Sequence, residues 1–338
     1  MSAPGMSTQQ AMLGMITGRW VSQMIGLAAE LGIADLLREG TRSAEELAQA
    51  TGCHPRSLYR VLRALAGAGV FTHVEPGRFG LNPMAECLRS DAPGSFRGMA
   101  IMVNREWTAR SWANILHSAR TGQTAFEQVF GIPIFDWFGK NPAEAEIFND
   151  AMTSFSSVTG PAIAAGYDFS RFGTVVDVGG GHGQLLFEIL RRHPSTGGVV
   201  SDLPHVMEGA REAIRRAGMD GRCRAEAADF FESVPAGGDA YMMKHILHDW
   251  DDERSARILA NCRRRMDGAG ALLVVEHVLP AGLEPSFTSL MDIEMLVNAS
   301  GQERTEEEFR RLYATAGFRL TRVIPTASPV SIVEGVPA

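Results

Sequence analysis

A chain of 338 residues exceeds the ~250–300 at which one hydrophobic core stops growing, so two packed regions are expected. With 45% hydrophobic residues, 21% charged residues and a net charge of −7, wholesale disorder is excluded, and so is polyanion binding by bulk charge. Four cysteines, Cys53, Cys87, Cys223 and Cys262, stand far apart without CxxC spacing, which argues against structural zinc and a disulfide framework and fits a reduced cytoplasm.

The N-terminal residues Met1–Gln10 carry no basic leader region, and the longest apolar strings are strand-sized, so neither a signal peptide nor a membrane span is expected. Residues 1–100 read as mostly helical. Met12, Met15, Ile16, Met24, Leu27, Ala28 and Leu31 recur at helical spacing, and Leu13, Trp20, Val21 and Ile25 widen the stripe until it wants burial on more than one side. A capping box at Ser43–Glu46 opens a helix that Gly52 stops, a second helix runs from Pro55 to Ala66, and Val70–Val74 with Arg78–Leu81 flank Pro76-Gly77 as a hairpin. Helix, turn, helix and hairpin make a winged-helix-like pattern. Arg56, Arg60 and Arg63 raise a groove-binding reading, but the segment's net charge of +1 favours a dimerisation domain with a solvated arginine face and no nucleic-acid partner. Residues 101–170 follow as a helical connector rich in Trp and Phe.

From 171 to 338 strands and helices alternate, as in a doubly wound α/β sheet. Strands are expected at 174–178, 198–201, 223–227, 240–244, 271–276, 319–324 and 329–334, with a helix over 306–316 after its Thr305 cap. The last two pair as a hairpin, so the Rossmann-like sheet has an antiparallel last strand.

Val175–Gln184 is a buried strand running into a glycine turn. A dinucleotide fingerprint through Gly179 and Gly181 requires Gly or Ala at 184, where the chain has Gln184. The pattern D-x-G-x-G-x-G over Asp177, Gly179, Gly181 and Gly183 fits instead, giving bare backbone against which a nucleoside lies. Asp202 ends the second strand where a carboxylate can accept ribose hydroxyls, and Asp229-Phe230 follows the third, suited to an adenine. The fourth strand delivers Lys244, one of only two lysines, and then His248-Asp249-Trp250.

These motifs, with Asp202-Leu203-Pro204-His205, Asp229-Phe230-Phe231, Glu276 and Gly301–Thr305, resemble the class I S-adenosylmethionine-dependent methyltransferases, specifically the caffeic acid O-methyltransferase-like family. The resemblance covers essentially the whole chain. It implies S-adenosyl-L-methionine as cofactor, S-adenosyl-L-homocysteine as product, no metal, a homodimer and a small hydroxylated aromatic acceptor from secondary metabolism. It further implies His248 as general base between Glu276 and Glu303, and cofactor contacts at Asp177, Gly179, Gly181, Asp202, Leu203, Asp229, Phe230 and Lys244. Asn104, Met152, Phe155, Asp249, Met295 and Asn298 fall where family members line the acceptor pocket. His245 is expected on a helix, and His182 at a helix start.

Elementary chemistry agrees with those roles. Displacement at a sulfonium methyl needs positioned reactants, and a phenol of pKa ~10 needs a base, for which a neutral imidazole of pKa ~6.5 is suited at pH 7. Two rivals remain at this point: a relative that N-methylates or has lost methyl transfer, and a winged-helix regulator that senses a metabolite.

Overall fold

The computed structural model describes residues 7–266, 268–282 and 284–338, so Met1–Met6 lie outside the described residues. The chain forms two compact units, Met1–Ala109 with Phe138–Phe155 and Arg110–Trp137 with Ser156–Ala338. Residues of the helical stretch 101–170 belong to both units.

In the first unit Ser7 and Gln10 form a capping box that starts the helix Thr8–Glu30. Ser43 and Glu46 do the same for Ala44–Thr51, which ends on left-handed Gly52, and His54 caps Pro55–Gly67. Strands Thr72–Glu75 and Arg78–Gly80 form the hairpin, with Arg42–Ser43 added beside Arg78–Gly80 as a third strand. The first hairpin strand starts two residues later than expected because Val70 closes the preceding helix end, its N–H donating to Leu65 O, and is buried with Phe71. Ile33, Leu47, Leu58, Leu62, Leu65 and Phe79 fill this core. The long helix buries Ala28 and Ala29 in it and packs Met24 and Ile25 against it, while Met12, Leu13, Met15, Ile16 and Trp20 stand 56–76% exposed.

The second unit is built on a seven-stranded sheet. Its strands are β1 (Thr174–Val178), β2 (Gly197–Asp202), β3 (Cys223–Ala227), β4 (Ala240–Lys244), β5 (Ala271–Glu276), β6 (Phe318–Pro325) and β7 (Ser331–Pro337). They stand in the order β3-β2-β1-β4-β5-β7-β6; β7 is antiparallel to both neighbours and all other strands run one way. The antiparallel strand is therefore last in the chain but interior in the sheet. It begins at Ser331 rather than Pro329, since proline has no N–H for the ladder.

Successive residues of the strands bury on opposite faces. Val175, Val200, Met242 and Leu273 join Leu186 and Ile189 in one core, and Val176, Val199, Tyr241 and Val274 join Ile258, Leu259 and Phe309 in the other. Register pairs Val178 with Ser201, Asp202 with Ala227 and Lys244 with Val275, so the carboxyl ends of five parallel strands share one edge. In an open α/β sheet that edge is where ligands bind.

Candidate active site

Two turns on this edge gather expected site residues around them. The first follows β1. Gly179 N and Gly180 N donate to Ser201 O, and Gly181 N donates to Asp202 Oδ2 at 2.9 Å. Asp202 Oδ1 accepts from Leu203 N at 2.7 Å, so this carboxylate ties the glycine turn to the end of β2. Gly181 has φ +56° and nothing within 4 Å of where a Cβ would stand; a Cβ on Gly179 would lie 2.5 Å from Ile246 Cδ1 and 3.5 Å from the Phe230 ring. Asp229 is exposed, and its Oδ1 accepts from Phe231 N at 2.9 Å.

Beneath the turn lie Asp177 and Lys244. Burial raises the Asp177 carboxyl to about 7, against the pull of Lys244 and with the repulsion of Asp202. Burial likewise lowers Lys244 to about 8, and its Nζ donates to Ser156 Oγ at 3.0 Å. A bare backbone cradle, an aromatic ring beside it and carboxylates at the ends of β2 and β3 fit a nucleoside cofactor: Gly181 leaves open space, Gly179 lets Ile246 pack against the turn, and Asp202 and Asp229 offer acceptors for hydroxyls and an amine.

The second turn follows β4. His245 does not sit on a helix, as expected, but directly after the strand with a left-handed backbone at φ +54°. Its ring lies 4.9 Å from that of His248 and 5.3 Å from that of His277. Such a conformation in a bulky residue costs energy and marks a turn held by its surroundings. Glu276 Oε1 accepts from the backbone N–H of Ile246, Leu247 and His248 at 3.2, 2.7 and 3.2 Å. Glu276 thus fixes the peptide that carries His248 rather than its ring.

The ring is held by Glu303, whose Oε1 is 2.9 Å from His248 Nδ1, both side chains being buried. A carboxylate can only accept, so Nδ1 carries the proton and the neutral ring keeps its lone pair at Nε2. Asp249 Oδ1 stands 3.6 Å from that Nε2, and Asp292 Oδ1 accepts the Glu303 N–H at 2.9 Å. Burial disfavours the imidazolium, yet Asp249, Glu303 and Glu276 outweigh it and raise His248 to about 9. The expectation of an ordinary imidazole near ~6.5 is therefore corrected upward by its three carboxylate neighbours. Burial pushes Glu276 up to about 7 and Asp249 up to about 6.

Of the expected acceptor residues, Asp249 adjoins His248, and Met295 and Asn298 lie buried on the helix Phe287–Asn298 of the same unit. Asn298 Nδ2 donates to Glu294 Oε1 at 2.7 Å, and Trp112 Nε1 donates to Glu294 Oε2 at 2.6 Å. Asn104, Met152 and Phe155 belong to the first unit. There Asn104 Nδ2 donates to Ser22 O and Ala100 O, packed where Gly26 leaves room. The sequence reading missed Arg304 and Asp292 as supports of the His248 turn and of Glu303; the fully buried Arg304 donates to Leu247 O and Trp250 O, both at 2.9 Å. Among the described residues, no group of three or more His, Cys, Asp or Glu is placed to hold a metal ion, and no helix is long and apolar enough to cross a membrane.

The sheet order, the glycine cradle and the histidine turn define a class I S-adenosylmethionine-dependent methyltransferase of the caffeic acid O-methyltransferase-like type. Residues 112–319 match the O-methyltransferase domain and residues 13–91 the O-methyltransferase dimerisation domain. The phenazine O-methyltransferase of Lysobacter antibioticus is 48% identical over 326 residues, covering 96% of this chain and 95% of that protein. The phenazine-1-carboxylate N-methyltransferase of Pseudomonas aeruginosa is 30% identical over 324 residues, 96% of each. The crystal structure of an O-methyltransferase from neocarzinostatin biosynthesis, in complex with S-adenosylmethionine and 2-hydroxy-5-methyl naphthoic acid, matches with a TM-score of 0.80 at 35% identity, covering 94% of this chain and 96% of that one. The chain belongs to the O-methyltransferase family and is a small-molecule methyltransferase of secondary metabolism.

Proposed function

We propose that this enzyme methylates a hydroxyl of a small aromatic natural product, using S-adenosyl-L-methionine, releasing S-adenosyl-L-homocysteine and needing no metal, with His248 as general base. The observation that carries this reading is the buried His248–Glu303 pair, which leaves Nε2 as the basic atom beside Asp249. When bound, the cofactor supplies an electrophilic methyl on a sulfonium. Gly181 gives it room and Gly179 lets Ile246 pack beneath the same bare backbone, Asp202, Leu203, Asp229 and Phe230 take its ribose and adenine, and Asp177 with Lys244 supports the turn.

His248 Nε2 takes the proton of the acceptor hydroxyl, and Glu303 stabilises the imidazolium that forms. With His248 near 9 and a phenol at ~10, the two proton affinities are nearly matched. Asp249, Met295, Asn298, Asn104, Met152 and Phe155 are assigned to acceptor binding. The likeness to the phenazine O-methyltransferase makes a hydroxylated phenazine the first acceptor to try.

A second reading, N-methylation, has the phenazine-1-carboxylate N-methyltransferase relative in its favour. Transfer of labelled methyl to a panel of hydroxylated phenazines, other phenols and ring or amine nitrogens decides between them. Label on oxygen supports the proposal, and label on nitrogen alone overturns it.

The protein is further proposed to be a homodimer through its long first helix. The exposed Met12, Leu13, Met15, Ile16 and Trp20 supply the apolar face, within a segment that matches a dimerisation domain. Sedimentation velocity at micromolar concentration that shows one monomeric species would refute this.

A further inference from the structure

Every residue of Gly301–Arg304 bears on the turn that carries His248. A Cβ at Gly301 would stand 1.8 Å from His248 O, and Gln302 N donates to that same oxygen at 2.9 Å. Glu303 holds the ring, as above. Arg304 then donates through its two terminal nitrogens to Leu247 O and Trp250 O, through one of them to Ser255 Oγ at 3.2 Å, and through Nε to Asp252 Oδ1 at 2.9 Å.

The Arg304 side chain is entirely buried, while the carboxylate it contacts directly, Asp252, is 67% exposed, and the buried Glu276 feels its charge only through space. Taking a guanidinium out of water is expensive, and an exposed carboxylate returns little of that cost; an apolar side chain of similar volume would fill the space at a smaller cost. A planar fork of five donors alone can reach the carbonyls on both sides of His248 and a hydroxyl together. The turn it grips is strained at His245, so it needs holding from outside.

We infer that Arg304 is a positioning residue for the methyl-transfer base: it locks the 245–250 turn in the conformation that presents His248 Nε2 to the acceptor. The inference rests on the reading of His248 as base. Glu276 holds the same turn by its N–H groups, and Arg304 holds it by its C=O groups.

The test compares full-length wild type, Arg304→Lys, Asp252→Asn and His248→Asn on a hydroxyphenazine and on a nitro-substituted analogue whose hydroxyl is already ionised at the assay pH. Arg304→Lys is expected to lower kcat roughly ten- to hundredfold on the un-ionised acceptor, the scale of a misplaced catalytic group, and under about threefold on the ionised one. Donor affinity by calorimetry stays within about twofold of wild type, because the cradle after β1 is untouched. Asp252→Asn acts on an exposed side chain and shows the same acceptor dependence at about two- to fivefold, which keeps the idea open to refutation should Arg304→Lys not fold. A loss equal on both acceptors, or wild-type turnover in both variants, overturns the role of Arg304 while His248→Asn still distinguishes the acceptors. If His248→Asn treats the two acceptors alike, the base reading fails and this inference falls with it.

Discussion

The glycine turn after β1 and the histidine turn after β4 leave neighbouring strands of one sheet, yet they are held by opposite means. The first donates its backbone N–H groups to the end of β2 and depends on side chains that are missing: Gly181 takes φ +56° with open space around it. The second depends on side chains supplied from far along the chain, Glu276 28 residues from His248, Glu303 55 residues from it and Arg304 57 residues from Leu247. Glycine serves both turns for different reasons. At 181 it allows a conformation, whereas Gly301 has no left-handed backbone and is needed only because His248 O stands where a side chain would go. On the proposed function, a binding cradle needs space and a base needs a fixed direction, and the two turns differ in the way those requirements would demand.

The largest effect that sharpens this contrast is expected from His248→Asn, with turnover falling by about two to four orders of magnitude and donor affinity unchanged. The pH dependence carries the same signature. Below about 9 the ring is mostly imidazolium, so wild-type kcat rises with pH from 7 toward 9 instead of levelling near 7.5. The sign for stability is opposite. A pKa raised from 6.5 to about 9 means the folded state binds more protons across that window, so this group's stabilisation is complete below 6.5 and lost as pH rises through 9. Stability measured against pH should therefore fall less steeply from 6.5 to 9 in His248→Asn than in wild type. A rate plateau by pH 7.5 would contradict the role assigned to the carboxylates.

Next comes Gly301→Ala, expected to cost roughly a hundredfold in turnover by pushing the histidine turn away, with donor affinity kept. Gly181→Ala is expected to show the reverse, a weaker donor affinity from a methyl in the left-handed region, roughly 1–2 kcal/mol, and near-normal turnover once donor saturates. Identical kinetic patterns in the two variants would erase the distinction between the turns. Asp202→Ala belongs with the cradle. Losing charge-assisted hydrogen bonds of about 1.5–3 kcal/mol raises the donor Kd ten- to 150-fold by calorimetry, part of it through release of the Gly181 N–H.

The same contrast decides how much was legible in the sequence. The parallel strands, the antiparallel last strand and D-x-G-x-G-x-G could be read because alternation, strand ends and glycine turns are local patterns. His248 could be named from the short motif after β4, but its support could not. That Glu276 grips backbone N–H groups, that Arg304 is buried against carbonyls and that Asp292 caps Glu303 are contacts between distant segments, with no periodicity to announce them. His245 was misplaced for a related reason: its left-handed backbone contradicts local propensity and is imposed by the contacts around it. The raised proton affinity of His248 likewise depends on three carboxylates meeting in space.

The smallest expected effect is the sharpest test of how the segment Gly301–Arg304 holds the His248 turn. Gln302 lies within that segment, but its contact with the base turn is a main-chain one, N–H to His248 O at 2.9 Å, while its side chain reaches only outward to Asp252 at 3.0 Å. Gln302→Ala keeps the N–H and removes a partly exposed amide, so turnover is expected within about twofold of wild type and stability within about 0.5 kcal/mol. Its neighbours on either side, Gly301 and Glu303, act through space and a side chain, and their replacement is expected to be costly. A tenfold loss in Gln302→Ala at unchanged donor affinity would mean that the Gln302–Asp252–Arg304 side-chain network, rather than the backbone of 301–302, carries the alignment. The His248 turn would then be held in register by side chains rather than by the main chain of 301–302.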